Sequence, residues 1–160
     1  FSGSVNGSTV DPMVHGTVRN GYLQFGRWTI TGPYGDVVVT RELVHLTRLR
    51  GKGAGDGVYE LNGDVSGWMD EPAFDLDVAV ENASLSGILD QGGFKLPARL
   101  FDGKVSGTIA LEGSAGRPRA NFDLLLADEV GIGDPMRLRF QVNDGKVKLG
   151  QVGDLFGRGS

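Results

Sequence analysis

The stretch Phe101–Gly150, FDGKVSGTIALEGSAGRPRANFDLLLADEVGIGDPMRLRFQVNDGKVKLG, alternates apolar and polar residues through four successive runs. A period of two is typical of strands that bury one face. Asp144-Gly145 separates the last two runs, and this dipeptide supplies the positive φ values of a two-residue hairpin turn. The stretch therefore predicts an antiparallel sheet with one apolar face. The apolar positions of its first three runs are Val105, Ile109, Leu111, Phe122, Leu124, Leu126, Leu138, Phe140 and Val142.

A phrase of the form G-x-V-x-G begins this stretch and occurs twice more, as FSGSVNG at Phe1–Gly7 and LNGDVSG at Leu61–Gly67. A proline follows each copy, at Pro12, Pro72 and Pro118. Apolar or small residues then occupy the second, fourth and sixth positions after the proline. In the second copy these positions hold Phe74, Leu76 and Val78. Because the phrase and the following strand recur together, they predict an internal repeat whose glycines let the strands bend.

The length and composition set the domain organisation. The 160 residues suit a single segment, 1–160, of a larger repetitive protein, with sub-repeats at about 1–60, 61–100 and 101–160. The chain begins with Phe rather than Met, so it looks excised or processed, and no apolar run approaches the ~20 residues of a membrane-spanning helix. A net charge of −4 argues against nucleic acid as a partner, and the absence of cysteine excludes disulfides and thiolate metal sites.

One segment, Glu81–Gln91, departs from strand periodicity. Its apolar residues recur at helical spacing: Leu85, Ile88 and Leu89. Asn82 or Ser84 is a suitable N-cap, and Gly92-Gly93 would end the helix after two to three turns. Elsewhere the glycine-rich dipeptides predict turns.

The predicted fold is all-β, with about ten strands and this one short helix. Turns are expected at Asn20-Gly21 and at Gly32–Gly35, and Val37–Arg50 is expected to be strand. One short helix cannot cover the apolar face of ten strands, and open sheets of that size usually curl or split. The pattern leaves three architectures open: a two-sheet sandwich, a closed barrel, or a largely antiparallel sheet curled into an apolar trough.

No catalytic constellation is recognisable in the sequence. His15 and His45 have no partner motif, and the glycine-rich Gly51–Gly57 lacks the order of a phosphate-binding loop and is followed by a strand. Asp75 and Asp77 share one face of a strand, where solvated carboxylates are the expected interpretation. The sequence therefore predicts a protein that is not an enzyme and has no catalytic residues, metal or cofactor.

The order of phrase, alternating strand, Glu-Gly, loop, proline and alternating strand resembles the repeat of the TamB and AsmA-like proteins of bacterial envelopes. The preceding FDLDVAVENASLSGILDQ also resembles their interruptions between repeats. The resemblance is strongest over Leu61–Leu149. It implies a β-taco fold, a long U-shaped sheet with an apolar inner trough. It also implies a periplasmic location, with the parent protein anchored in the inner membrane.

The family resemblance also implies a function. TamB works with the outer-membrane partner TamA in assembling outer-membrane proteins, and the family is implicated in moving phospholipids between the two membranes. The expected partners are phospholipid acyl chains, together with a TamA-like outer-membrane barrel or unfolded outer-membrane proteins. Two alternatives stay open: a chaperone-like scaffold that holds unfolded client strands, and a structural β-sandwich. The candidate trough-lining residues are Phe74, Leu76, Val78, Val105, Ile109, Leu111, Phe122, Leu124, Leu126, Leu138, Phe140 and Val142.

Overall fold

The computed structural model describes residues 2–7, 12–25, 27–92, 103–127, 135–144 and 146–149. These residues form eleven strands, one α-helix and one 3₁₀ turn at Ala54–Asp56. The elements in chain order are β1 (Ser2–Gly7), β2 (Pro12–Arg19), β3 (Tyr22–Phe25), β4 (Trp28–Val39), β5 (Leu43–Lys52), β6 (Val58–Ser66), β7 (Ala73–Ser84), α1 (Leu85–Gly92), β8 (Lys104–Ser114), β9 (Arg119–Leu126), β10 (Met136–Asn143) and β11 (Lys146–Leu149).

All eleven strands belong to one antiparallel sheet. The strand order is β1-β2-β4-β5-β6-β7-β8-β9-β10-β11, and β3 pairs with β4 beside β2. Each strand on this path pairs with its neighbour along the chain, apart from the short detour through β3. In the part of the chain that the structure describes, β1 and β11 form the two edges of the sheet. The predicted all-β fold with one short helix is confirmed.

The described residues form neither a two-sheet sandwich nor a closed barrel. A sandwich needs a second sheet, and the described strands make only one. A barrel needs the first and last strands to pair, whereas β1 pairs only with β2 and β11 only with β10 among the described residues. The described strands therefore form one open sheet.

Alternation along the strands puts one continuous apolar face on the sheet. In β7 the apolar Leu76 and Val80 are buried while Asp75 and Asp77 are exposed. The same alternation resolves the ambiguous segment 37–50, because Val37 is buried on the apolar face and the chain turns at 40–42 between β4 and β5. The apolar face runs without interruption from Val18 in β2 to Val142 in β10.

Two sites predicted as turns are irregularities along the sheet instead. Asn20 and Gly21 have the expected positive φ of 63° and 103°. However, they join β2 to β3, which both pair with β4, so the chain does not reverse there. Gly32–Gly35 lies inside the twelve-residue strand β4, where the pairing with β5 shifts register on either side of Tyr34. Bulges use the same residues as turns and bend the strand without ending it.

The helix forms where the spacing predicted it. Leu85, Ile88 and Leu89 are buried, and the backbone N–H of Gly87 donates to Oγ of Ser84 at 3.3 Å, which identifies Ser84 as the cap. The helix packs against the 3₁₀ turn and the end of β7. No helix within the described ranges is long and apolar enough to span a membrane.

In each of the three G-x-V-x-G copies, the central valine lies in a strand that pairs with the next strand along the chain. The pairs are β1 with β2, β6 with β7, and β8 with β9. Pro12 is the first residue of β2, and Pro72 and Pro118 directly precede β7 and β9. The recurring phrase therefore coincides with a recurring structural unit. The sub-repeat boundaries at about 60 and 100 stay a prediction.

Two glycines of this phrase make close approach of the strands possible. Gly63 in β6 lies opposite Leu76, and Gly107 in β8 lies opposite Leu124. A Cβ on Gly63 would collide with the carbonyl oxygen of Asp75, and a Cβ on Gly107 with that of Asp123. Gly63 also has a φ of 127°, which side-chain-bearing residues rarely adopt. Each glycine thus makes room beside a leucine at the bottom of the apolar face.

Candidate functional site: the apolar trough

The strands of the sheet end in two sets, and residues from both sets line one cavity. One set, here called the helix rim, carries Trp28, Ala54 and Gln91, and the other, the turn rim, carries Ala115 and Pro118. Both rims line a single cavity of about 330 Å³. β7 spans eleven residue steps from Ala73 to Ser84, so a flat sheet would hold the rims about 36 Å apart. A cavity shared by both rims favours a bent sheet, and its apolar side is here called the trough.

Register irregularities account for much of this bend. The pairing of β5 with β6 shifts between Leu46 and Leu49, and the pairing of β7 with β8 shifts between Val80 and Ala83. Such bulges increase local twist and bend the strand that carries them. They fall within the central strand pairs of the sheet.

The floor of the trough contains every residue that the sequence nominated for it. All twelve candidates from Phe74 to Val142 belong to the apolar cluster, half of them fully buried and half partly buried. Six of them also line the cavity: Phe74, Leu76, Val78, Ile109, Leu111 and Phe122. The remaining candidates extend the apolar face on either side of it. Their role toward lipid stays a prediction.

A second part of the trough continues from the cavity toward β11. The rings of Phe122 and Phe140 stack with centroids 4.3 Å apart and planes at 10°. Leu126 and Leu138 are only partly buried against this cluster. The apolar surface therefore continues past the cavity toward the edge strands.

Sequence reasoning missed the contribution of β4 to the cavity. Trp28 and Ile30 line it, although neither was nominated. They fall between two segments that were predicted as turns, where no long alternation marks an inward face. Tyr59 and Leu61, which flank Glu60 in the sequence, were not nominated either, and both line the cavity. Their alternation with Glu60 was the available signal.

Tyr59 closes the helix rim from inside. Its hydroxyl donates to the backbone carbonyl of Ala54 at 2.9 Å, and its ring is buried. Burial raises the pKa of the Tyr59 hydroxyl well above its ordinary value, because the phenolate would lose its hydration. The residue therefore stays neutral and fixes the 3₁₀ turn against the cavity wall.

The outer face of the sheet is polar and paired. Asp123 accepts two hydrogen bonds from Arg137, each 2.7 Å long, and one of 3.2 Å from Arg139. The hydrogen bond from Arg137 is the main reason that the pKa of Asp123 lies below its usual value. His45 Nδ1 lies 2.6 Å from Oδ1 of Asp64 on the same face. These contacts suit a solvated surface.

The carboxylates that the sequence singled out on this face are solvated. Asp75 and Asp77 are exposed, as expected for solvated carboxylates. Within the described ranges, no group of three or more His, Asp and Glu side chains is placed to hold a metal ion. The candidate functional site is therefore the apolar trough.

Comparisons with known proteins found no protein-family model, no curated protein and no solved structure that matches this chain. The resemblance to TamB and AsmA-like proteins therefore stays a prediction from the sequence pattern.

Proposed function

We propose that this chain is a non-enzymatic segment of a TamB/AsmA-like envelope protein whose trough shields lipid acyl chains. The parent protein would be periplasmic and anchored in the inner membrane. It would carry phospholipids between the inner and outer membranes and so support outer-membrane protein assembly. The observation that carries the proposal is the cavity between the two rims, which is lined mainly by apolar side chains such as Leu61, Leu76, Ile109 and Phe122.

The energetics of acyl-chain transfer support this use of the trough. Each methylene removed from water is worth about 0.8 kcal/mol, so exposing a 16-carbon chain costs on the order of 12 kcal/mol. A chain that passes from a membrane into an apolar trough exchanges one apolar environment for another. Transfer is then close to neutral in free energy, and the direction depends on lipid supply and removal at the two ends.

The chain offers a matched pair of variants for a test. Ala120 lines the cavity, so Ala120→Phe fills it without adding charge. Ala110 pairs with Asp77 and Asn121, on the polar face of neighbouring strands, and does not line the cavity. Ala110→Phe therefore adds the same ring outside the trough.

Purified wild-type protein and both variants are incubated with vesicles of phosphatidylethanolamine and phosphatidylglycerol and then re-isolated. Bound phospholipid is counted by mass spectrometry, and folding is checked by circular dichroism. We expect wild type and Ala110→Phe to retain phospholipid and Ala120→Phe to retain several-fold less. Folded wild-type protein that retains no phospholipid would overturn the proposal.

A second candidate function, a scaffold that holds unfolded client strands, is favoured by one specific observation. Within the described residues, β1 and β11 each have a hydrogen-bonded neighbour on one side only. An unpaired edge accepts an added strand through backbone hydrogen bonds. This use predicts that an extended outer-membrane peptide binds equally well to wild type and to Ala120→Phe, since the edges do not depend on the cavity.

A further inference from the structure

The polar groups around the cavity are concentrated on one rim. Arg27 and Thr29 lie at the start of β4 and Gln91 lies in the last turn of α1, so all three belong to the helix-rim side. The opposite side is lined by Ala115 and Pro118, which carry no polar side-chain group. The opening of the trough is therefore chemically asymmetric.

Gln91 presents an amide oxygen that the described residues leave unsatisfied. Oε1 of Gln91 is buried and has no hydrogen-bond partner there. Gln91 is also one of the residues that line the cavity. Buried polar atoms are nearly always paired, so an unpaired one on a cavity-lining residue points to a partner brought by a ligand. Since the amide oxygen and nitrogen can exchange places by a flip, Gln91 is able to accept from a hydroxyl or donate to a phosphate oxygen.

Arg27 supplies the charge on this rim. It is exposed and is the one charged side chain among the described residues that line the cavity. Four other arginines pair with carboxylates: Arg50 with Glu81, Arg119 with Glu112, and Arg137 and Arg139 with Asp123. Arg27 makes no ion pair within the described ranges. A guanidinium at the mouth of an apolar cavity matches the geometry of a phosphate.

We propose that the helix rim is a headgroup subsite for an anionic phospholipid. Arg27 binds the phosphate, Gln91 bonds a headgroup or glycerol hydroxyl, and one acyl chain crosses the cavity toward Ala115 and Pro118. The inference rests on the proposed function and adds the class and orientation of the lipid. At about 30 Å³ for a group of water or methylene size, the 330 Å³ cavity holds on the order of ten methylenes, which corresponds to one chain.

Trp28 provides a built-in reporter for this site because it lines the cavity. The other tryptophan, Trp68, is 36% exposed and donates to the carbonyl of Thr40 in the turn between β4 and β5, away from the helix rim. In a Trp68→Phe background, fluorescence therefore reports on Trp28 alone. Bromine atoms on an acyl chain quench a tryptophan that they contact.

The probes are lysophosphatidic acid and a monoacylglycerol with the same brominated chain, which differ in the phosphate. We expect both to quench Trp28, with the lysolipid binding about threefold to tenfold more tightly at low salt. Arg27→Gln should remove this preference, whereas the control Arg41→Gln, in the turn at the opposite strand ends, should keep it. Gln91→Leu should weaken both probes about twofold to fivefold and raise the urea midpoint, since it removes an unsatisfied buried amide.

The outcomes separate the two proposals. If neither probe quenches Trp28, the lipid-shielding function itself is contradicted. If both probes quench it equally and Arg27→Gln changes nothing, the trough binds chains but the headgroup subsite is wrong. An equal loss of preference in Arg41→Gln would assign the effect to overall charge and also overturn the subsite. An unchanged affinity in Gln91→Leu would remove Gln91 from it.

Discussion

Replacing Gly63 by alanine tests whether the curl of the sheet depends on a missing side chain. Gly63 has a φ of 127°, and an added Cβ would collide with the Asp75 carbonyl oxygen and lie 3.1 Å from Cα of Leu76. Both obstacles are backbone atoms of β7, so they cannot rotate away. The backbone conformation costs about 1–3 kcal/mol for a residue other than glycine, and displacing a packed strand adds about 1–3 kcal/mol.

Alanine also restricts the unfolded chain, which offsets about 0.4–1 kcal/mol of that cost. We therefore expect Gly63→Ala to lower the free energy of unfolding by about 1–5.6 kcal/mol, a large part of the 5–15 kcal/mol typical of a domain. The assay is urea denaturation followed by circular dichroism. Gly116→Ala is the control, because nothing lies within 4 Å of its added Cβ. A Gly63→Ala protein that unfolds at the same urea concentration as wild type would refute this explanation of the bend.

Three further variants test the floor, the outer face and the helix. Leu124 is 0% exposed and Leu125 is 46% exposed, so Leu124→Ala should cost about 2.7–5 kcal/mol and Leu125→Ala less than about 1 kcal/mol in the same assay; equal costs would contradict the assigned faces. The Arg137 guanidinium holds the pKa of Asp123 below its usual value, so the stabilising contact is present at neutral pH and is lost as the pH falls through the folded-state pKa. The stability gap between wild type and Asp123→Asn, measured in urea from about pH 6 down to about pH 2, should therefore shrink, and a gap that widened would contradict this sign. Ser84→Ala removes the cap on Gly87 N–H and should cost about 0.5–2 kcal/mol in thermal unfolding, whereas an unchanged midpoint would show that the cap contributes nothing.

The local pattern of the sequence was sufficient for the inward-facing positions. Strict alternation placed Leu76, Phe122 and Leu124 on one face, and the structure buries all three on that face. The helical spacing of Leu85, Ile88 and Leu89 was equally local and equally informative. These features depend on neighbours within a few residues, which a single sequence contains.

The local sequence pattern did not predict the structure where pairing between strands distant in the chain determines it. Gly32–Gly35 has turn chemistry, yet β5 pairs with β4 both before and after it, while β3 pairs before it and β2 from Tyr34 onward. A bulge therefore forms instead of a reversal. Because this segment was predicted as a turn, Trp28 and Ile30 before it were not nominated for the candidate site. Curl itself depends on how β6, β7 and β8 pair, which periodicity does not reveal.

The sequence also does not predict which residues lie close to one another around the trough. The unsatisfied amide of Gln91 becomes visible only when α1 is seen on the apolar face beside Ala54. In the sequence it is one polar residue near the end of a short helix. Its relation to Arg27, which is more than sixty positions away in the chain, follows from the sheet pairing.

Photocrosslinking in cells is the most direct test of the trough as a lipid conduit. A photoreactive phenylalanine derivative replaces Phe74, which lines the cavity, or Asp75, the exposed next residue on the opposite face of β7, in the full-length protein. Adducts are extracted and identified by mass spectrometry. Lipid shielding predicts phospholipid adducts at position 74 and none at position 75. A folded protein that gave no phospholipid adduct at position 74, or gave the same yield at both positions, would contradict it.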